Sequence, residues 1–145
     1  MESKIRLMTA NDKESVFEMM KVFYSSPAVF TNGSDEIFLA DIENCINENQ
    51  YLEGFVFENS LGLQGYAMIA KSFSTEFGKP CIWIEDLYFK EEYRGQGLGK
   101  NFFEFIQKRY NNCIFRLEVE EENKRAISLY KKCGFSLLPY MEMKK

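Results

Sequence analysis

Residues 85–100 constrain this chain more than any other stretch. An apolar segment, 82–89, passes through the acidic turn Lys90-Glu91-Glu92 into Arg94-Gly95-Gln96-Gly97-Leu98-Gly99-Lys100, and then into an amphipathic segment, 98–106. The first reads as a strand and the second as a helix. Three glycines at alternate positions, Gly95, Gly97 and Gly99, join them. A glycine loop feeding a helix start presents backbone N–H groups that lack intrahelical partners, and the helix dipole adds positive charge there. Phosphate oxygens suit such a place. Glycine lets the backbone approach them closely, because a Cβ would stand in the way.

Spacing excludes two phosphate-binding patterns. A Walker-type loop needs Gly-x-x-x-x-Gly-Lys-Ser/Thr. Counted back from Gly99-Lys100, Arg94 stands where the first glycine belongs, and Asn101 stands where Ser or Thr belongs. The dinucleotide pattern Gly-x-Gly-x-x-Gly fails at Lys100 when started from Gly95 and at Phe102 when started from Gly97.

The remaining segments supply a sheet and helices around this loop. Residues 4–8 read as a short strand, with Ile5 and Leu7 alternating. Asn11 or Asp12 can cap a helix that carries Val16, Met19, Met20 and Phe23 on one face and stops before Pro27. Ser34 starts a second helix, with Asp35 and Glu36 at the positive end of its dipole and Phe38, Ile42, Cys45 and Ile46 on its buried stripe. The loop between them, 25–33, is long and aromatic enough to border a ligand. Segments 52–58 and 62–73 read as strands joined by a hairpin looser than a two-residue turn. The near-continuous apolar run 81–89 predicts a central strand covered on both faces.

The helix after the glycines carries Leu98, Phe102, Phe105 and Ile106 and ends at Asn111-Asn112. Residues 113–119 form another strand, and Asn123 caps a last helix with Ile127 and Tyr130 on one face. Lys131 and Lys132 fall in its last turn, and Gly134 is its left-handed stop. Residues 135–143 are expected to close the chain as one or two short strands broken at Pro139. The order predicts an α/β fold, a mixed sheet with helices on both faces. A length of 145 residues predicts one domain, 1–145.

Composition narrows the chemistry. A net charge of −4 opposes an extended nucleic-acid surface, so no nucleic-acid partner is expected. The absence of histidine removes histidine triads, bases and metal ligands, and no metal is expected. Cys45, Cys81, Cys113 and Cys133 are widely spaced within apolar runs, which predicts reduced, buried thiols. None has a histidine to activate it. No run reaches the ~20 apolar residues of a membrane span, and residues 1–6 lack an apolar signal core. A cytoplasmic protein without a membrane partner is expected.

Arg94-Gly-Gln-Gly-Leu-Gly99 is similar to the Arg/Gln-x-x-Gly-x-Gly/Ala signature of the GNAT superfamily of N-acetyltransferases. About thirty residues on, Asn123-Lys-Arg-Ala-Ile-Ser-Leu-Tyr-Lys-Lys-Cys-Gly-Phe135 resembles that family's Asn-x-x-Ala-x-x-Leu-Tyr-x-x-x-Gly-Phe pattern. Ile84-Glu-Asp-Leu-Tyr-Phe89 resembles the strand before the loop, and the element order agrees from end to end. Two mild departures stand out. Lys90-Glu91 lacks the proline often found after this strand, and position 100 is Lys.

The resemblance implies a central sheet splayed between its fourth and fifth strands, with acetyl-CoA bound at the splay. It implies cofactor contacts from Leu87, Tyr88 and Phe89 through the strand backbone, which is expected to bulge there. Further contacts come from Arg94, Gly95, Gln96, Gly97, Leu98, Gly99 and Lys100 around the pyrophosphate, and from Asn123. It implies Tyr130 as the general acid for the leaving thiolate. A phenol of pKa ~10 can hydrogen-bond a thiolate whose conjugate acid is near ~8.5.

Glu85 is the candidate base, directly or through water, because it shares strand parity with Leu87 and Phe89. Asp86 on the other face is its rival, and an amine already deprotonated in solvent is a third route. The run from Glu85 to Tyr88 resembles polyamine-type members of the superfamily. Tyr24, Phe30, Glu36, Trp83 and Tyr88 are candidate acceptor-site residues, since acidic and aromatic walls suit a cationic amine. The expected protein is an acetyl-CoA-dependent N-acetyltransferase of a small primary amine, monomeric or a homodimer. A non-catalytic CoA-binding regulatory module and an acetyltransferase of protein or peptide amines are the alternatives.

Overall fold

Segments with strand patterning pair into one five-stranded sheet in the order β1-β2-β3-β4-β5. The computed structural model describes residues 2–145; Met1, first residue of the stretch read for a signal core, lies outside them. The strands are β1 (Lys4–Leu7), β2 (Leu52–Asn59), β3 (Gly62–Ser74), β4 (Lys79–Phe89) and β5 (Ile114–Leu117). The β1–β2, β2–β3 and β3–β4 pairs are antiparallel, and the β4–β5 pair is parallel. The helices are α1 (Lys13–Tyr24), α2 (Asp35–Ile46), α3 (Leu98–Arg109) and α4 (Lys124–Lys132).

Strand alternation divides the core in two. Val56, Tyr66, Met68 and Tyr88 pack on one face against Val16, Met19 and Met20 of α1 and Phe38 and Ile42 of α2. Phe55, Phe57, Ala67, Ile69, Ile82 and Ile84 pack on the other against Phe102, Phe103 and Ile106 of α3, with Tyr130 of α4 at the margin. The sheet therefore carries helices on both faces.

Helix starts follow the expected chemistry with one change. Ser34 Oγ accepts from the Ile37 N–H at 3.2 Å, and Asn123 Oδ1 accepts from the Ala126 N–H at 3.3 Å. Asp12 stands at the N-cap of α1, but its side chain does not cap it. Its carboxylate accepts from the Thr9 N–H at 2.8 Å and from both terminal nitrogens of Arg6 at 2.8 and 2.9 Å. Arg6 also donates to both oxygens of Glu58 at 3.0 Å, which ties β1 and β2 to the start of α1.

Three expectations are corrected. The β2–β3 hairpin is tight: Asn59 pairs with Gly62 across two residues, and Asn59 Oδ1 accepts from the Leu61 N–H at 2.9 Å. Such an Asx turn needs no longer loop. Residues 135–143 form no strand, and β5 is left as an edge. Pro139 has no N–H for a ladder, and Leu137, Leu138, Tyr140, Met141 and Met143 stay exposed rather than packing a sheet face. The bulge in β4 lies at Glu85, not at 87–89: Ile84 faces Ile69 and Asp86 faces Met68, so Glu85 has no partner on β3.

Gly65 faces Phe89 at the end of β4. A Cβ there would lie 2.2 Å from the Tyr88 carbonyl oxygen, a backbone atom that cannot swing aside. Gly65→Ala is expected to destabilise the fold by about 2–3 kcal/mol, read as a lower urea midpoint. A midpoint equal to the wild type would mean that β3 and β4 lie farther apart than described.

Candidate active site

The site begins where the sheet comes apart. β4 and β5 stay in register only from Cys81–Ile114 to Ile84–Leu117; β5 ends there, while β4 runs on to Phe89. Past Ile84, the edge of β4 that faces away from β3 has no strand partner. The gap opens into a cleft of about 860 Å³ between the α1–α2 loop, the end of β4, the glycine loop and α4. Ten of the thirteen residues expected at the catalytic or cofactor site line it: Leu87, Tyr88, Phe89, Arg94, Gly95, Gly97, Leu98, Gly99, Asn123 and Tyr130. Gln96 and Lys100 do not; the Gln96 side chain donates to the Glu92 carbonyl at 3.1 Å.

The three glycines have different reasons. Gly95 (φ 75°) and Gly97 (φ 83°) sit in the left-handed region that side chains disfavour. Gly97 is the N-cap of α3, and the first bond of that helix runs from the Asn101 N–H to its carbonyl at 3.0 Å. The N–H groups of Leu98, Gly99 and Lys100 therefore have no intrahelical acceptor. Gly99 serves packing instead: a Cβ there would lie 2.8 Å from Leu129 Cδ2, so its absence lets α4 close onto α3.

Cations flank this helix start. Arg94 Nε donates to the Phe89 carbonyl at 2.8 Å, and its guanidinium lies 5.6 Å from the Tyr88 ring centre. Arg125 reaches over the loop, with Nη2 3.5 Å from where a Gly95 Cβ would stand. Arg125, Ser128, Leu129 and Lys132 all face the cleft and were missed in the sequence. Their i, i+3, i+4, i+7 spacing was the available signal, a second stripe of α4 beside the one holding Ile127 and Tyr130.

Tyr130 packs edge-on between Phe103 and Phe135, with ring centres 5.9 and 6.1 Å away. Burial raises its pKa. Its hydroxyl has no hydrogen-bond partner among the described residues. It also lines a second cavity of about 280 Å³ with Trp83, Phe115, Arg116, Glu118, Tyr140 and Glu142.

Glu85 does not line the cleft. The extra residue breaks the alternation that would have placed it with Leu87 and Phe89. It is exposed, and partial desolvation, then the charges of Glu142 and Asp41, raise its pKa. Glu118 meets the Glu142 carboxyl, and this contact, then burial, pushes Glu118 up to about 7.

Asp86 is buried on the α1/α2 side and accepts from Tyr24 at 2.8 Å and Tyr66 at 2.7 Å. The acceptor-site candidates scatter. Tyr24 is committed to Asp86, Trp83 lines the second cavity, and Tyr88 lines the cleft. Phe30 is 91% exposed, and Glu36 lies exposed in the first turn of α2. Among the described residues no group of three His, Cys, Asp or Glu side chains could hold a metal ion, and no helix is long and apolar enough to cross a membrane.

A model of the acetyltransferase (GNAT) family matches residues 15–135. A thialysine N-epsilon-acetyltransferase of Bos taurus is 41% identical over 73 residues, which is 48% of this chain and 42% of that protein. The Mus musculus protein of the same name is 37% identical over an equal span. The matched segment thus spans less than half the length of these relatives. A "possible acetyltransferase" from Clostridium difficile 630 superposes with a TM-score of 0.82 at 17% identity, over 99% of this chain and 96% of that one. An aminoglycoside N-acetyltransferase in complex with CoA superposes with a TM-score of 0.80 at 16% identity, over 99% and 94%. At these identities the two structures speak to the fold.

The buried carboxylate of Asp86 makes stability depend on pH. Burial outweighs the two phenol hydrogen bonds and lifts its pKa from 3.8 to about 6. Its protonated form is favoured in the fold, so its contribution is fully present below pH 3.8 and is lost as pH rises through about 6. Asp86→Asn cannot ionise and is expected to gain on the wild type by about 2–3 kcal/mol between pH 3.5 and 7, measured by urea unfolding at each pH. A difference that stays flat over this range would mean Asp86 ionises as readily folded as unfolded.

Proposed function

Because this chain belongs to the GNAT family of acetyltransferases, we propose that it is an acetyl-CoA-dependent N-acetyltransferase. It transfers acetyl directly to a primary amine of a small molecule, with donor and acceptor bound together. The position of Tyr130 carries this reading: a hydroxyl without a protein partner on the wall shared by the long cleft and the second cavity. The thialysine-acetylating relatives support a small amine as acceptor. The free cysteines support a reducing compartment, the cytoplasm, and the activity resides in one domain over residues 1–145.

The residues fit the donor. The N–H groups of Leu98, Gly99 and Lys100, with Arg94 and Arg125, would hold a pyrophosphate through charge-assisted hydrogen bonds at the α3 terminus. The unpartnered backbone edge of β4, at Leu87 to Phe89, takes an amide-bearing arm by strand-like pairing. Asn123 is at the cleft wall, where its Oδ1 already caps α4 and its amide nitrogen is the free group. Bound acetyl-CoA supplies the acetyl thioester.

The protein supplies the proton traffic. The amine must arrive or become neutral, since a free alkylamine has a pKa near ~10. Glu85 does not line the cleft, so the proton that the nitrogen loses as its lone pair forms the N–C bond passes to water there. Backbone N–H groups on the open edge of β4 stabilise the negative charge that develops on the carbonyl oxygen. Tyr130 gives a proton or hydrogen bond to the sulfur, which leaves with the electron pair of the C–S bond.

Acetyl-CoA and CoA, but not ATP, are expected to raise the melting temperature. Tyr130→Phe is expected to lower kcat for CoA release roughly 100-fold, while acetyl-CoA still stabilises the protein. Stabilisation by ATP alone, or a Tyr130→Phe protein with the wild-type kcat, would overturn this assignment.

A further inference from the structure

The second cavity holds charges of both signs that are not paired with each other. Arg116 faces Trp83 across the β4–β5 ladder, and its guanidinium lies 4.7 Å from the indole centre. It makes no ion pair or hydrogen bond with a described residue. Arg6 and Arg109 contrast with it, since each is held by carboxylates through at least two hydrogen bonds. Two residues beyond Arg116, Glu118 meets Glu142, and the charge of Glu85 adds to theirs. These three carboxylates are exposed, and none is paired with a cation among the described residues. Lys131, the other basic residue of the cavity wall, is exposed in the last turn of α4.

One cavity therefore offers a fork of N–H donors without a carboxylate and a carboxylate pair without a cation. A diamine would satisfy the acids and leave Arg116 facing a like charge. A simple carboxylic acid would satisfy Arg116 and face the acids. A zwitterion satisfies both, with its carboxylate on the Arg116 fork and its ammonium on the carboxylates. Arg116 and Glu118 are about 7 Å apart along an extended chain, a gap that their side chains and a ligand head can close. Tyr130 lines this cavity and the long cleft alike.

We propose that the acceptor is an α-amino acid bearing a side-chain amine, with its head held between Arg116 and the Glu118–Glu142 pair and its distal amine directed past Tyr130 into the long cleft. This deepens the transferase reading and rests on it. Arg116 and Glu118 are specificity residues that grip the head, and the reacting nitrogen lies at the other end of the acceptor.

Two readouts on the purified full chain separate this idea from the transferase reading. The first is kcat/KM for CoA release from acetyl-CoA, with L-lysine, L-ornithine and thialysine set against cadaverine and putrescine. The second is calorimetric titration of L-lysine and cadaverine into the protein saturated with CoA, which needs no turnover. The wild type is expected to favour the amino acids over the diamines by tenfold or more, about the worth of one charge-assisted hydrogen bond. Arg116→Gln is expected to collapse that ratio at least tenfold and Arg116→Lys to restore part of it, each with a native circular dichroism spectrum. Glu118→Gln should weaken amino acids and diamines alike.

A wild type that prefers the diamines, or a ratio unmoved by Arg116→Gln, overturns the head site and leaves the transferase standing. Tight L-lysine binding without any CoA release supports the head site and overturns the transferase. Neither binding nor release with any of the five amines overturns the head site.

Discussion

In β4, Ile84 faces Ile69 and Asp86 faces Met68, so Glu85 stands without a partner on β3. That extra residue reverses the alternation of the strand. Ile82 and Ile84 pack on the α3/α4 face before it, and Leu87 and Phe89 pack on the same face after it. A regular strand would have sent Asp86 and Tyr88 to that face, among Phe57, Phe102 and Phe103. Burying a carboxylate there without a partner would be prohibitive. The bulge sends Asp86 to the α1/α2 side, where the phenols of Tyr24 and Tyr66 receive it at 2.8 and 2.7 Å. The clamp joins α1, β3 and β4 at one buried group, and the cleft-facing stretch of β4 starts from that anchor.

The glycine-loop end of the cleft depends on two helices approaching closely. α3 offers its N-terminal N–H groups, and α4 offers Arg125. They meet because Gly99 leaves room for Leu129. Gly95 and Gly97 shape the loop, and Gly99 brings up the second helix. The same α4 carries Tyr130 on its neighbouring stripe, so one helix supplies both the arginine over the glycine loop and the tyrosine shared by the two cavities.

Features written in local spacing were legible in the sequence. The glycine loop, the caps at Ser34 and Asn123, and the faces of α1 and α3 all follow from residues a few positions apart. Leu87, Phe89, Arg94 and Tyr130 did reach one cleft. The bulge was misplaced because register is a property of two strands, and two adjacent acids do not say which is the extra residue. Residues 135–143 have the composition of a strand but form no ladder, since a strand also needs a partner edge and Pro139 interrupts the donors. Arg125 was overlooked because α4 has two working stripes and only the apolar one was followed.

The arginines show how this acidic chain divides its cations between structure and site. There are five, Arg6, Arg94, Arg109, Arg116 and Arg125, against 22 acidic side chains, so carboxylate partners are plentiful. Arg6 joins β1 and β2 to α1 through Glu58 and Asp12, and Arg109 joins the end of α3 to β2 through Glu53. Both sit away from the splay, where a satisfied pair fixes geometry. Arg94, Arg116 and Arg125 line the cleft or the second cavity, and none pairs with a carboxylate among the described residues. A guanidinium already paired must break that pair to bind an anion, and the exchange leaves little net gain. One held by a ring face or a single carbonyl keeps its fork free, as Arg116 does over Trp83 and Arg94 does at the Phe89 carbonyl. The paired arginines thus fix the frame, and the unpaired ones stand on the walls of the two cavities with their donors free.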